Sequence, residues 1–185
     1  MRELIREYTQ KIHQALTSSA MDRIQALAWA LEDAWEKGKA VYLCGNGGSA
    51  GNATHLCNDL LYGAGLRKGT GLRVESLSSN ESVITCIAND RGYENIYSEQ
   101  LRVKANSGDI LIALSGSGNS PNIIKALEMG NEKGMKTFAI LGFSGGKCKE
   151  IAQFPIHFEM NDMEVSEDLQ NIVGHICKQW LNRTR

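Results

Sequence analysis

Val41 to His55 reads VYLCGNGGSAGNATH, an apolar run that breaks into glycines and then resumes as a helical pattern. Val41, Tyr42, Leu43 and Cys44 have the β-branched and aromatic character of a strand buried on both faces, as in parallel sheets. Gly45, Asn46, Gly47 and Gly48 then permit a tight turn and close backbone approach to a ligand. Ser49 is expected to cap the next helix, whose first amide hydrogens face the turn and attract an anion. The stretch reads as a strand feeding an oxyanion-binding loop.

A second stretch repeats the pattern. Ile110 to Pro121, ILIALSGSGNSP, passes from an apolar strand into small and hydroxyl residues and then into a helix. Ser115, Ser117 and Ser120 place three hydroxyls within six positions, and Gly116 and Gly118 leave the intervening amides open. That density of donors suits the acceptor oxygens of a phosphate. Neither loop has the Lys-Ser/Thr ending of a nucleotide P-loop or the spacing of a dinucleotide fingerprint. The expected ligand is therefore a phosphorylated small molecule rather than a nucleotide.

Outward from these loops, helices and strands alternate. Residues 1–37 read as helix, with apolar residues from Leu4 to Trp35 at intervals of three and four and a break at Thr17, Ser18 and Ser19. A turn is expected over Gly63 to Gly71, a strand at Leu72 to Leu77, a helix over Glu81 to Ala88, and a loop through Asn89, Asp90 and Arg91 to Tyr93. A helix over Glu94 to Ala105 follows, then the second loop and a helix over Asn119 to Lys133. Strands at Thr137 to Leu141 and Phe154 to Phe158 flank a short helix at Gly145 to Ala152, and a helix over Val165 to Leu181 closes the chain. This order predicts an α/β fold, a doubly wound, flavodoxin-like parallel sheet of five strands. Ligands of such sheets lie beyond the carboxyl ends of the strands where the winding reverses, so the two loops can share one site.

Composition narrows the function further. With 185 residues, 42% hydrophobic and 22% charged, the chain suits one structural unit with a full core. A net charge of -1 gives no electrostatic case for nucleic acid. No apolar run approaches the roughly 20 residues that span a bilayer, and the opening MRELIREYTQ lacks the apolar centre of a signal peptide. Five widely spaced cysteines, with no Cys-x-x-Cys pair, read as free core thiols in a reducing, cytoplasmic setting. The helices of the N-terminal segment 1–37 precede the first strand, so part of their apolar face lacks an obvious partner in the sheet domain and is expected to pack against another subunit; residues 38–185 form the sheet domain.

GNGGSA at 45–50, SGSGNSP at 115–121, ANDRGYENIYSEQL at 88–101 and the pattern around His175 resemble a SIS (sugar isomerase) domain protein of the phosphoheptose isomerase type, over nearly the whole chain. The resemblance implies a homotetramer that interconverts sedoheptulose 7-phosphate and D-glycero-D-manno-heptose 7-phosphate, with zinc in a cleft between subunits. It implies substrate-binding roles for Asn46, Gly47, Gly48 and Ser49 in the first loop, for Asn89 and Asp90 in the middle stretch, and for Ser115, Gly116, Ser117 and Ser120 at the phosphate. His55 and His175 match the family's histidine metal ligands. Asp59 stands where the family has Glu, Glu167 where it usually has Gln, and Gly116 where Thr is usual. Two other readings compete: a catalytically silent SIS protein that binds a partner protein, and a sugar-phosphate-sensing module.

The residues support chemistry of this type on their own. His55 and Asp59 stand at i and i+4 of a helix, on one face, and Glu167 and His175 lie about two turns apart on the closing helix. Together they are expected to offer a four-ligand nitrogen and oxygen set that suits zinc. Aldose–ketose isomerisation needs a base for the proton beside the carbonyl, an acid for the oxygens, and stabilisation of the enediolate. By position Asp59 is the base and His175 the acid, with Glu167 and Asp90 near the sugar hydroxyls.

Overall fold

The computed structural model describes residues 1–65 and 70–184. Two helices come first, α1 (Arg2–Leu16) and α2 (Ala20–Glu36), followed by β1 (Ala40–Gly45) and α3 (Gly48–Asn58). α3 runs into a π-helical turn, Asp59–Gly63. Then come β2 (Arg73–Ser76), α4 (Glu81–Arg91), a 3-10 turn (Tyr93–Asn95), α5 (Ser98–Lys104), β3 (Ile110–Ser115) and α6 (Pro121–Glu132). β4 (Lys136–Leu141), α7 (Gly146–Ile151), β5 (Phe154–His157) and α8 (Met163–Thr184) complete the chain. Part of the expected turn from Gly63 to Gly71, residues 66–69, lies outside the described residues.

The strands form one all-parallel sheet in the order β2-β1-β3-β4-β5. The winding reverses between β1 and β3. Strand residues divide strictly by parity between the two faces. Val41, Leu43, Ile110, Ile112 and Phe138 join α2, α3 and α8 in one core. Tyr42, Cys44, Leu111, Ala113 and Ala139 join α5, α6 and α7 in the other. The fully apolar strands seen in the sequence are thus strands covered by helices on both sides.

Two local expectations are corrected. α4 runs on through Asn89 and Asp90 to Arg91, because Gly92 at φ 91 is the first residue placed to end it. The stretch expected as one helix over Glu94 to Ala105 splits into the 3-10 turn and α5, with Ser98 to Lys104 helical. Most of the apolar face of α2 is buried within this chain, with Ile24, Leu27, Ala28, Leu31 and Ala34 chiefly against the sheet and α8, while Trp29 and Met21 remain 53% and 37% exposed. On α1, Leu4 and Ile5 remain 58% and 57% exposed.

No helix among the described residues is long and apolar enough to cross a membrane. The cysteines are free; Cys44, Cys148 and Cys177 are buried, Cys57 is half-buried and Cys86 is exposed. Burial disfavours the thiolate, pushing Cys148 and Cys177 up to about 12. Both thiols therefore stay neutral and unreactive in the folded protein at pH 8 and again at pH 9, although a free cysteine would be largely ionised at the higher pH. Counting labelled thiols with a chromogenic disulfide reagent before and after denaturation checks this.

Candidate active site

The site begins with the pairing of β1 and β3. Gly45 lies opposite Leu114 in the register, so the loops that leave the two strands start side by side at the carboxyl edge. Between them is a cavity of about 270 Å³ lined by Asn46, Gly47, Gly48 and Ser49 from the first loop and by Ser115, Gly116, Ser117 and Ser120 from the second. Met163 and Glu167, at the start of α8, close its side. All eight loop residues expected to hold substrate are brought together.

Hydrogen bonds fix the walls. Asn46 and Asn122 exchange amide bonds, Asn46 Nδ2 donating at 2.9 Å and Asn122 Nδ2 at 2.8 Å. The Tyr93 hydroxyl donates to Asn46 Oδ1 at 3.2 Å. Tyr97 and Ser78 both donate to the Gly45 carbonyl, clamping the end of β1. In the second loop Ser115 Oγ accepts from the Gly118 amide at 3.0 Å. Ser115 thus shapes the turn, whereas Ser120, at the N-cap of α6, makes no side-chain capping bond. The first residues of α3, Gly48 and Ser49, bring their amides to this cavity edge, an arrangement suited to an anion, whereas α6 opens with Pro121, which has no N–H, and its Ile123 amide is bonded to the Ser120 carbonyl.

Ser49 is not the cap expected of it. Gly47 occupies the N-cap and Ser49 lies inside the first turn of α3, where its Oγ accepts from Gln170 Nε2 at 3.0 Å. Gln170 is 1% exposed, and its Oε1 accepts from Asn52 Nδ2 at 3.0 Å. Asn52 Nδ2 also reaches the Glu167 carbonyl at 2.9 Å. Polar bonds therefore tie α3 to α8 along the cavity wall.

Further along the same two helices stands a cluster of ionisable groups. Nε2 of His55 faces Nε2 of His175 at 2.9 Å, with the rings edge to face. Asp59 Oδ2 lies 3.4 Å from His175 and 4.0 Å from His55. His55 is exposed, His175 half-buried and Asp59 buried. A backbone contact allows this approach: a Cβ on Gly174 would come within 2.2 Å of Leu56, so glycine is what lets α8 lie this close to α3.

The four-ligand set reduces to three. Ligand atoms of His55, Asp59 and His175 lie within 4.8 Å of one another, and Glu167 is not among them. Glu167 belongs to the cavity wall, two turns nearer the start of α8. Asn89 and Asp90 also stay outside the cavity. They sit exposed in the last turn of α4, where Asn89 Nδ2 donates to Asp90 Oδ1 at 2.8 Å. Sequence reasoning missed Asn122, Gln170 and Lys178, each of which bonds to a site residue; Lys178 follows His175 at i+3, a spacing that would have flagged it.

The SIS domain family matches the chain over residues 6–142. The chain belongs to that family. A phosphoheptose isomerase from Akkermansia muciniphila is 35% identical to this SIS protein over 91% of its chain and 88% of the relative's own. One from Helicobacter pylori is also 35% identical, over 86% and 82%. Among solved structures, the phosphoheptose isomerase GmhA from Neisseria gonorrhoeae is 25% identical, with a TM-score of 0.85 over 98% of this chain and 94% of that one. The branch suggested by the two loops is thus the branch of these relatives.

Replacing Gln170 with Ala strands the buried Ser49 hydroxyl and removes one of the two bonds that Asn52 Nδ2 makes. The expected loss is about 1–3 kcal/mol of stability, read from urea unfolding at fixed protein concentration.

Proposed function

We propose that this SIS protein is a phosphoheptose isomerase, interconverting sedoheptulose 7-phosphate and D-glycero-D-manno-heptose 7-phosphate. The observation that carries the reading is the placing of a carboxylate among two imidazoles on the helix pair that also walls the loop cavity. A linear sugar phosphate has its phosphate several bonds from its carbonyl. The anion-binding loops and the acid–base cluster are likewise set apart along α3 and α8.

In this reading the amides at the start of α3, with the hydroxyls of Ser117 and Ser120, hold the phosphate. Asn46, fixed by Asn122, and Glu167 take sugar hydroxyls. Asp59 removes the proton from the carbon beside the carbonyl, and His175 carries a proton between the neighbouring oxygens. The polar wall supplies hydrogen bonds to the charge that develops on oxygen. Loss of the base and loss of phosphate binding are then separable, because the π-helical turn after α3 provides one and the two loops provide the other.

The cluster also fits a zinc ion. Two facing imidazole nitrogens cannot both donate to each other, and a cation would take both lone pairs, with Asp59 as a third donor. His55, Asp59 and His175 would hold the ion, which would supply Lewis-acid polarisation of a carbonyl oxygen, the proton transfers falling to the atoms of Asp59 and His175 that the ion leaves free. We further take the protein to be a cytoplasmic homotetramer whose sites are completed between subunits. Support comes from the exposed Leu4 and Ile5 of α1, and from α4, which carries Asn89 and Asp90 and buries no residue within one chain.

The test is to incubate the purified protein with sedoheptulose 7-phosphate and follow aldose formation. Turnover is expected for the parent protein. Asp59→Asn should lower kcat by about 10²–10⁴-fold, and dialysis against a chelator should remove activity that added zinc restores. Absence of any aldose from folded, zinc-supplemented protein would overturn the assignment.

A further inference from the structure

Asp59 has a neighbour that the acid–base scheme leaves unused. Lys178 Nζ lies 2.9 Å from Asp59 Oδ1, on the carboxylate oxygen opposite the one that faces the imidazoles. The two oxygens are thus divided: Oδ1 to the ammonium, Oδ2 to His175 and His55. The pair is sheltered, with the Lys178 side chain 28% and the Asp59 side chain 11% exposed. A charge-assisted bond in such surroundings is stronger and more directional than one in open water.

The route by which Lys178 arrives is equally specific. Asp59 opens the π-helical turn Asp59–Gly63, and its carbonyl accepts from the Ala64 amide at 2.8 Å, five residues on. That wider turn brings Gly63 beneath the lysine stem. A Cβ on Gly63 would lie 2.6 Å from Lys178 Cε and 2.8 Å from Nζ. The absence of a side chain there is what gives the ammonium its place beside Asp59. Turns of this kind inside helices recur at functional sites.

We propose that Lys178 is a positioning residue for the Asp59 carboxylate, gripping one oxygen so that the other stays aimed at the imidazole pair. The role rests on the isomerase reading above, in which Asp59 moves the proton. Asp59 turns about only two side-chain torsions and makes no other ion pair outside the histidines among the described residues. Without Lys178 the carboxylate is free to rotate away, and misplacement by about 1 Å costs on the order of 100-fold in rate.

The experiment compares Lys178→Met, Lys178→Arg and Gly63→Ala with the parent protein, using sedoheptulose 7-phosphate for kinetics and crystallography of each variant. Thermal melting first establishes that each is folded. Lys178→Met is expected to lower kcat by about 10- to 100-fold with KM unchanged, since the phosphate loops are untouched. Lys178→Arg should recover most of that loss. Gly63→Ala, which displaces only the flexible end of the lysine, should reproduce it. In crystals of Lys178→Met, Asp59 Oδ2 should have left His175. A parent enzyme that turns over while Lys178→Met and Gly63→Ala keep full kcat would overturn the inference and leave the isomerase reading standing. A parent protein without turnover would overturn the isomerase reading. The crystal result then still decides the inference: an Asp59 carboxylate unmoved in Lys178→Met refutes it, and a displaced one supports it.

Discussion

The parallel pairing of β1 with β3 is the constraint from which the rest follows. These strands are not neighbours in sequence between their helices; β2 lies outside β1, and the sheet grows in the other direction from β3. A right-handed crossover on each side therefore sends the chain off toward opposite faces, and a gap opens where the two loops part. Because Gly45 and Leu114 are in register, the gap is lined from both sides at the same height. Hydroxyls and bare amides, scattered along the chain, become one polar cavity.

The second requirement is the approach of α8 to α3. Helix pairs pack through ridges and grooves at separations set by the side chains between them. Here Gly174 removes one such spacer and Leu56 fills its place, while Gln170 and Asn52 replace apolar contact with bonds that fix the helices lengthwise. The consequence is chemical. Two imidazoles and a carboxylate meet on a half-buried seam, where charge is screened less than on an open surface. Lys178 completes the seam, so that an acidic group between two titratable rings is balanced by a fixed positive charge.

The structure also divides labour among residues that share a motif. Ser115 and Ser49 both have their hydroxyls engaged inside the protein, one shaping its own turn and the other joined to Gln170. Ser120, without a capping bond, keeps its hydroxyl for the cavity. Glu167 and His175 occupy one helix yet serve different ends of the site, because two turns of helix separate them. A motif names the participants, and packing assigns the tasks.

The sequence alone determined the α/β alternation, the five strands and the two glycine–serine loops, because apolar periodicity and glycine–serine turns are local properties of the backbone. It also determined that His55 and Asp59 share a face, since i and i+4 nearly coincide on an α-helix. Tertiary structure decided the rest. Whether Asn89 and Asp90 sat in a loop depended on Gly92 being the first residue able to end α4, and the burial of α2 depended on a sheet face that only the fold creates. The exclusion of Glu167 from the histidine cluster and the arrival of Lys178 beside Asp59 both came from the relative slide of α3 and α8. No spacing within either helix encodes that slide; it is set by the side chains that meet between them.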